Sequence, residues 1–338
     1  MARKHTGTDV AVSQGRLIWR RFLQNRLAVI SAVLFILVVI FAITSIGVGP
    51  IPGWWHYGYS QINDQVNRGE PTLRLWPFSI GEHPFGQDRI GRDYFAMTMR
   101  GTQNSIVVMF VLGGIASITG VIVGALSGYY RGWIDSVLMR ITDVFIVIPA
   151  LVIGSLVGHW AGNLGAFMLA LMLGFFSWMG IARLVRGEFL VLRERPFVEA
   201  ARVAGASDAR IIFRHILPNA MGIIIVSTTL ILATAILLET ALSYLGYGIK
   251  APDVSLGGLV SSNESAFQTR PWLFWWPGSL IVGLALLINF VGDGLRDAFD
   301  PRHKVIRINK MKNAPVDTTD DDFSAEPEDG LGVLGRSM

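Results

Sequence analysis

Leu27 to Ile46 is a run of 20 residues without a charge. At about 1.5 Å of rise per residue, a helix of that length crosses a hydrocarbon layer of about 30 Å. Similar apolar stretches follow at Ser105 to Gly128, Val137 to Gly158, Leu164 to Ala182, Ala220 to Leu238 and Trp272 to Val291. Each is predicted as a membrane-crossing helix, which makes the chain an all-α integral membrane protein with six transmembrane helices. Composition agrees, because 51% hydrophobic and 16% charged residues leave too little charge to clothe a water-soluble domain of 338 residues. The first stretch follows a polar, basic segment and has no small-residue cleavage site after it, so it reads as an anchor rather than a signal peptide.

The organisation read from these runs is a basic N-terminal segment (1–26), a first span (27–46) and a long outer loop (47–104). A core with five spans (105–303) follows, carrying a cytoplasmic loop at 184–219, and then a tail (304–338) that is basic and later acidic. The tail is poor in large apolar residues and is expected to be disordered. Lys and Arg set the orientation. With both termini in the cytoplasm, 22 of the 29 basic residues lie inside: six before the first span, two at Arg131 and Arg140, seven from Arg183 to Arg214 and seven after Val291. The net charge of +4 therefore reports topology, and no basic patch with interleaved base-stacking aromatics suggests a nucleic-acid partner.

Cysteine is absent, so there is neither a disulfide nor a thiolate metal site. His56, His83 and His159 fall in outer segments without metal-ligand spacing and read as solvated loop residues. Trp54, Trp55, Tyr57, Tyr59 and Trp76 in the outer loop read as an interfacial aromatic belt, with a solute path as the alternative. Ala116, Gly120, Gly124 and Gly128, at four-residue steps, put a stripe of small residues on one helix face for close packing, either within the chain or against a partner.

Ionisable residues inside spans are costly, about 2.5–3.5 kcal/mol at the helix centre. Asp143, inside the third span, either pairs with Arg140 or another helix or lines a cavity. Glu239, at the outer end of the fifth, reads as an interfacial anchor.

Between Pro196 and Pro218 lies a charged, helix-forming segment. Pro196 suits a first helical position and Gly205 a helix end with positive φ, so a short helix is predicted over Phe197 to Ala204. Ser207 or Asp208 opens a second, with Ile212 and Ile216 on one face and Arg210 and Arg214 on another. Pro218 is expected to break the chain before the next span. Small residues allow close approach and arginines attract an acidic surface, so the segment suits docking.

The spacing from Glu199-Ala200-Ala201 through Gly205-Ala206 to Leu217-Pro218 resembles the coupling (EAA) loop of ABC importer permeases, with His215 as a departure. His83-Pro84-Phe85-Gly86-Gln87-Asp88 through Gly91-Arg92-Asp93 resembles the HPLGTDxxGRD stretch of one permease of dipeptide and oligopeptide ABC importers, departing at Phe85 and Gln87. Leu242 to Gly246 and Gly292 to Pro301 are similar to later parts of the same permeases, and the likeness runs from about residue 17 to 303. It implies a type I ABC importer permease architecture in a bacterial inner membrane. The implied partners are a second homologous permease, two ATP-binding subunits and an extracytoplasmic solute-binding protein. Glu199, Ala200, Ala201, Gly205, Ala206, Leu217 and Pro218 become the positions that enter an ATPase groove. Asp88, Arg92, Asp93 and Asp143 become pore-lining or loop-positioning residues.

No GxxxxGK[ST] phosphate loop occurs, so ATP and magnesium are expected on partner subunits, with no cofactor on this chain and no enzymatic activity of its own. Three functions compete: an importer permease for dipeptides or oligopeptides, or for nickel chelates or another small solute; an ATP-independent secondary carrier; and a membrane-embedded enzyme. The carrier would need buried acids at mid-membrane, and the enzyme clustered His, Asp or Glu within spans. Neither pattern is present.

Overall fold

A computed structural model describes residues 14–76 and 78–299. The expected disordered tail at 304–338, the first 13 residues and Pro301 lie outside the described residues.

An amphipathic helix α1 (Gln14–Gln24) leads into α2 (Arg26–Ile46), which is capped by the Asn25 side chain accepting from Ala28 N–H. The outer loop holds two small antiparallel hairpins, β1 (Gly47–Val48) with β2 (Ile51–Pro52) and β3 (Arg74–Leu75) with β4 (Phe78–Ser79). It closes at Asp93, which caps α3 (Tyr94–Tyr130) by accepting from Ala96 N–H. This helix starts eleven residues before Ser105, where the apolar run begins. Its first turns are polar, yet they are buried against protein: Gln103 donates to the carbonyls of Ala42 and Gly47, and Asn104 donates to Asp253 and the Val254 carbonyl. Hydropathy alone excludes such turns, and tertiary partners restore them.

The third predicted span is broken. α4 (Gly132–Ile146) and α5 (Ala150–Ala161) meet at 82°, because Pro149 lacks an N–H and disfavours helical backbone at Ile148. The fourth is bent by 45° between α6 (Ala166–Phe175) and α7 (Met179–Leu192). Here Phe176 and Ser177 N–H turn to carbonyls three residues back, and the Ser177 hydroxyl takes the Leu173 carbonyl at 2.7 Å, which ends the α ladder without proline. Among the described residues four unbroken helices are long and apolar enough to cross a membrane, and the number is six when each bent pair counts as one span.

After α7 come α8 (Pro196–Val203), α9 (Asp208–Arg210), a π turn (Ile211–Ile216) and α10 (Leu217–Tyr244). The expected break at Pro218 does not occur, and the backbone is helical from Asp208 to Tyr244. Leu217 N–H bonds to the Ile212 carbonyl five residues back, so the wide turn and the position of Pro218 at the start of α10 remove the need for its missing donor. The short α11 (Leu256–Asn263) and α12 (Trp272–Phe299) complete the fold. Pro277 inside α12 frees the Leu273 carbonyl, four residues earlier, and the buried Tyr94 hydroxyl donates to it.

α3 is the central post. Its stripe packs within the chain: a Cβ on Gly120, Gly124 or Gly128 would come within 2.8 Å of Ile181, 2.5 Å of the Ala182 carbonyl or 2.6 Å of Phe189, all on α7. α1 and the start of α2 lie on α12, where a Cβ on Gly294 would meet Phe22 of α1 at 3.4 Å and Ala28 of α2 at 2.1 Å, and Phe299 abuts Gly222 at the start of α10. The beginning of the described chain, its end and the 193–217 loop are therefore on one side of the molecule.

Candidate functional site

The loop between α7 and α10 is a folded unit. Arg195 is extended and Pro196 opens α8; Gly205, with φ +78°, closes it. Ala206 N–H returns to the Ala201 carbonyl and Gly205 N–H to that of Arg202, the paired bonds that satisfy a helix end. Ser207 caps the next turn by accepting from Arg210 N–H. Val198, Ile211, Ile212 and Ile216 are buried in a cluster with Tyr129, Val185, Phe189 and Ala220, against which Ala201, Ala206 and Leu217 pack half-buried. The opposite face exposes Glu199, Ala200, Arg202, Ala204, Gly205 and Pro218, with Arg210 and Arg214 beyond. The seven positions singled out in the sequence thus divide into four that face solvent and three that hold the unit in place. Val203, 85% exposed, and Phe213, 68% exposed, extend the solvent face with bare apolar surface that the sequence reading missed. Their signal was present: both fall off the Val198 and Ile212 stripe at helical spacing.

Polar contacts bind this unit to the end of α3 and link the neighbouring ends of α3, α4 and α7. The Tyr129 hydroxyl donates to Asp208 Oδ1 at 2.6 Å, and Arg193 donates to the Tyr129 carbonyl with its guanidinium 5.9 Å from the ring centroid. Arg186 on α7 forks onto both oxygens of Asp135 on α4, at 2.6 and 2.7 Å, and Ser127 donates to the same carboxylate. Arg131 pairs with Glu194 at 2.9 Å.

In the outer string the charges hold the loop together. Asp88 accepts from the N–H groups of Ile90 and Arg92 and from Arg92 Nε at 2.7 Å. Arg92 therefore pairs with Asp88 and leaves Asp93 for other work. Asp93, fully buried, accepts from Trp55 Nε1 at 2.9 Å as well as capping α3, and lies 2.7 Å from His83 Nδ1. His83 is 1% exposed beneath the Tyr57 ring, which corrects its reading as a solvated histidine: the Asp93 carboxylate supplies the partner that burial requires. Phe85, a departure from the expected string, stacks on Trp276 at 3.9 Å. Of the aromatics expected at the interface, Trp54 and Trp76 are exposed, while Trp55 and Tyr57 are tied into this network and Tyr59 lies under the Arg100 guanidinium.

Asp143 pairs with Arg183 on α7 at 2.5 Å, both half-exposed, so its partner is the neighbouring helix and not Arg140. Glu239 departs further from its reading as an interfacial anchor. It is fully buried, accepting from Ser105 at 3.1 Å and from Ser243 at 2.7 Å. Nearby, Arg100 grips both oxygens of Asp253, in the loop after α10, at 2.8 and 2.9 Å. Burial pushes the Asp253 carboxyl up, but the donors Arg100, Asn104 and its neighbour Val254 N–H outweigh it and hold the group below the usual carboxylate range. Among the described residues no group of three or more His, Asp or Glu could hold a metal.

A cavity of about 440 Å³ lies where both helix breaks face α10, lined by Pro149, Ala150, Ser177, Gly180, Ile231 and Thr234 among others. Interrupted backbone at membrane depth is tolerated where it is covered by protein or lines a cavity.

Membrane helices around a central post, two of the six spans broken, and a folded loop pinned to one end are the architecture of an importer permease. Residues 120–305 match the family described as binding-protein-dependent transport system inner membrane component, and residues 13–77 match the N-terminal transmembrane domain of oligopeptide transport permease C. The chain belongs to this family of ABC importer permeases. It is similar to the oligopeptide transport system permease protein OppC of Mycobacterium bovis, with 37% identity over 87% of this chain and 97% of the relative. The OppC of Bacillus subtilis shares 36% over 89% and 95%, and a putative peptide permease protein of Brucella ovis 36% over 83% and 89%. A chain of the inward-facing MetNI methionine ABC transporter superposes with a TM-score of 0.49 at 22% identity, covering 60% of this chain and 97% of that one.

Proposed function

We propose that this chain forms, with a second homologous permease, the path by which oligopeptides cross a bacterial inner membrane. Solute arrives from an extracytoplasmic binding protein, and two ATP-binding subunits drive the cycle from the cytoplasmic side. Glu199, Ala200, Gly205 and Pro218, with Val203 and Phe213, form the surface that enters an ATPase groove, while Ala201, Ala206 and Leu217 seat that surface on the membrane helices. Both termini are cytoplasmic. Supporting this orientation are the excess of Lys and Arg on the loop side and the position of α1 and the end of α12 beside the loop.

The observation that carries the reading is the two-sidedness of the loop: one face packed through Val198, Ile211, Ile212 and Ile216, the other small, apolar and arginine-flanked in open solvent. A surface loop that only connects spans needs no packed inner face and exposes no Val203 or Phe213. The peptide assignment rests on the names of the relatives, and the cavity at the helix breaks supports a path through the centre of the span region.

The test is Gly205→Trp. Nothing lies within 4 Å of the Cβ that a side chain at Gly205 would add, so the indole projects into solvent from a backbone at φ +78°. The variant is expected to insert in the membrane at normal levels, lose its ATP-binding subunits on purification and take up no peptide. Wild-type uptake by it would show that this face docks nothing. The solute class is read by identifying what the cognate binding protein retains.

A further inference from the structure

The loop is joined covalently to α7 and α10 only. α7 is separated from α6 by the break at 176–178, and α10 begins in a π turn. α3, unbroken over its 37 residues from Tyr94 to Tyr130, has no covalent link to the loop, and its outer end carries the contacts to Asp253 and Glu239. A movement of the loop can travel the full depth of the membrane through α3, provided that the loop grips it.

Most of the contact between them is apolar: Ala125 and Tyr129 against Val198, Ile211, Ile212 and Ile216. Such packing attracts without fixing direction, so a loop held by it alone can slide along α3. Directional contacts join the end of α3 to the part of the loop beside α7, from Arg193 to the Tyr129 carbonyl and between Arg131 and Glu194, and one reaches the segment that leads into α10, from the Tyr129 hydroxyl to Asp208 at 2.6 Å. Tyr129 is 6% exposed in the last turn of α3, where a phenylalanine would fill the same volume. Arg193, at the end of α7, holds both the ring face and the backbone carbonyl of Tyr129, which orients the hydroxyl. Asp208 opens the first turn after Gly205, next to the capping Ser207.

We propose that the hydrogen bond between Tyr129 and Asp208 is the latch that adds α3 to the lever moved by the ATP-binding subunits, making Tyr129 and Asp208 positioning residues for transport. This rests on the docking role of the loop. The glycine stripe keeps α3 and α7 in register, and the latch ties that pair to the loop segment that leads into α10. When the loop is pushed, the inner end of α3 moves with it, and the outer contacts at Asp253 and Glu239 feel the same displacement.

The chain has no cysteine, so spin labels can be placed at will. In the purified complex with its partner subunits, labels at Ala209→Cys in the loop and Ile118→Cys on α3 report their separation without nucleotide and after trapping with ATP and vanadate. The native latch is expected to keep that distance the same in both states. Tyr129→Phe should let it change, and should lower uptake of a radiolabelled tetra-alanine peptide per ATP hydrolysed by about tenfold, the range of a hydrogen bond to a charged group. Asp208→Ala should match it, Asp208→Asn, which keeps an acceptor, should restore both readouts, and the Tyr129→Phe/Asp208→Ala pair should be no worse than either alone. An unchanged label distance in Tyr129→Phe, wild-type uptake per ATP, additive losses, or release of the ATP-binding subunits by Tyr129→Phe would each overturn the latch. Gly205→Trp in the same preparation separates the two ideas. If it keeps its ATP-binding subunits and transports, docking at this face fails; if it loses them while Tyr129→Phe behaves as native, only the latch fails.

Discussion

Single residues in this chain act through the partners that the fold brings to them. Asp253 is held ionised by Arg100 and Asn104 from a helix some 150 residues earlier. Its folded-state pKa lies below its unfolded value, so it contributes stability above the ordinary carboxylate range that is lost as pH falls through the folded pKa. The thermal stability of the detergent-solubilised protein is therefore expected to fall below about pH 4, and Asp253→Asn to flatten that part of the profile while lowering stability at neutral pH. An Asp253→Asn protein with the native acid profile would assign the slope to another group. Tyr94 works at the same scale: its hydroxyl occupies the carbonyl freed by Pro277, and Tyr94→Phe, which leaves that carbonyl buried and unpaired, is expected to cost about 1–3 kcal/mol in chemical denaturation. The motif letters of the outer string named these residues, but they could not say that Arg92 pairs with Asp88, that Asp93 serves His83, Trp55 and a helix cap together, or that His83 is buried. Choosing among nearby oppositely charged or polar partners takes distances, and spacing along a loop does not provide them.

At the scale of elements, small residues decide which helices come close. The stripe on α3 was legible from its four-residue period, and its partner was open until α7 was seen against it. Gly124→Leu places side-chain atoms where the Ala182 carbonyl and Val185 already are, and is expected to destabilise the protein by about 1–3 kcal/mol or prevent its accumulation in the membrane. Gly187→Ala on the same partner helix meets nothing within 4 Å and should be neutral or slightly stabilising, which makes it the control in a melting assay. The spans themselves were read well where hydropathy is the deciding force, as in α2. They were misjudged where polar turns are satisfied inside the protein, at the start of α3, and where a serine back-bond bends an apolar run that contains no proline, between α6 and α7. Pro218 marks the opposite error: a residue that ends helices in isolation sits at the start of one here, because a π turn removes the need for its donor.

For the whole molecule, the proposed function places the energy source outside the chain. Reconstituted alone in liposomes, this subunit is expected to move no peptide, and to gain uptake only with its partner permease, ATP-binding subunits and binding protein; solute movement by the lone chain would return it to the secondary carriers. The sequence by itself determined where the apolar, membrane-crossing stretches lie, where the charged loop between them falls and which permease family the chain joins, because those properties depend on the composition and spacing of residues near one another in the chain. Only the tertiary structure decided which face of that loop is free, that Glu239 is buried between Ser105 and Ser243, that two spans are broken beside one cavity, and that Tyr129 reaches Asp208. The reason is physical: burial and hydrogen-bond partnership are set by groups far apart in sequence that close packing brings within a few ångströms, and no local pattern encodes that meeting.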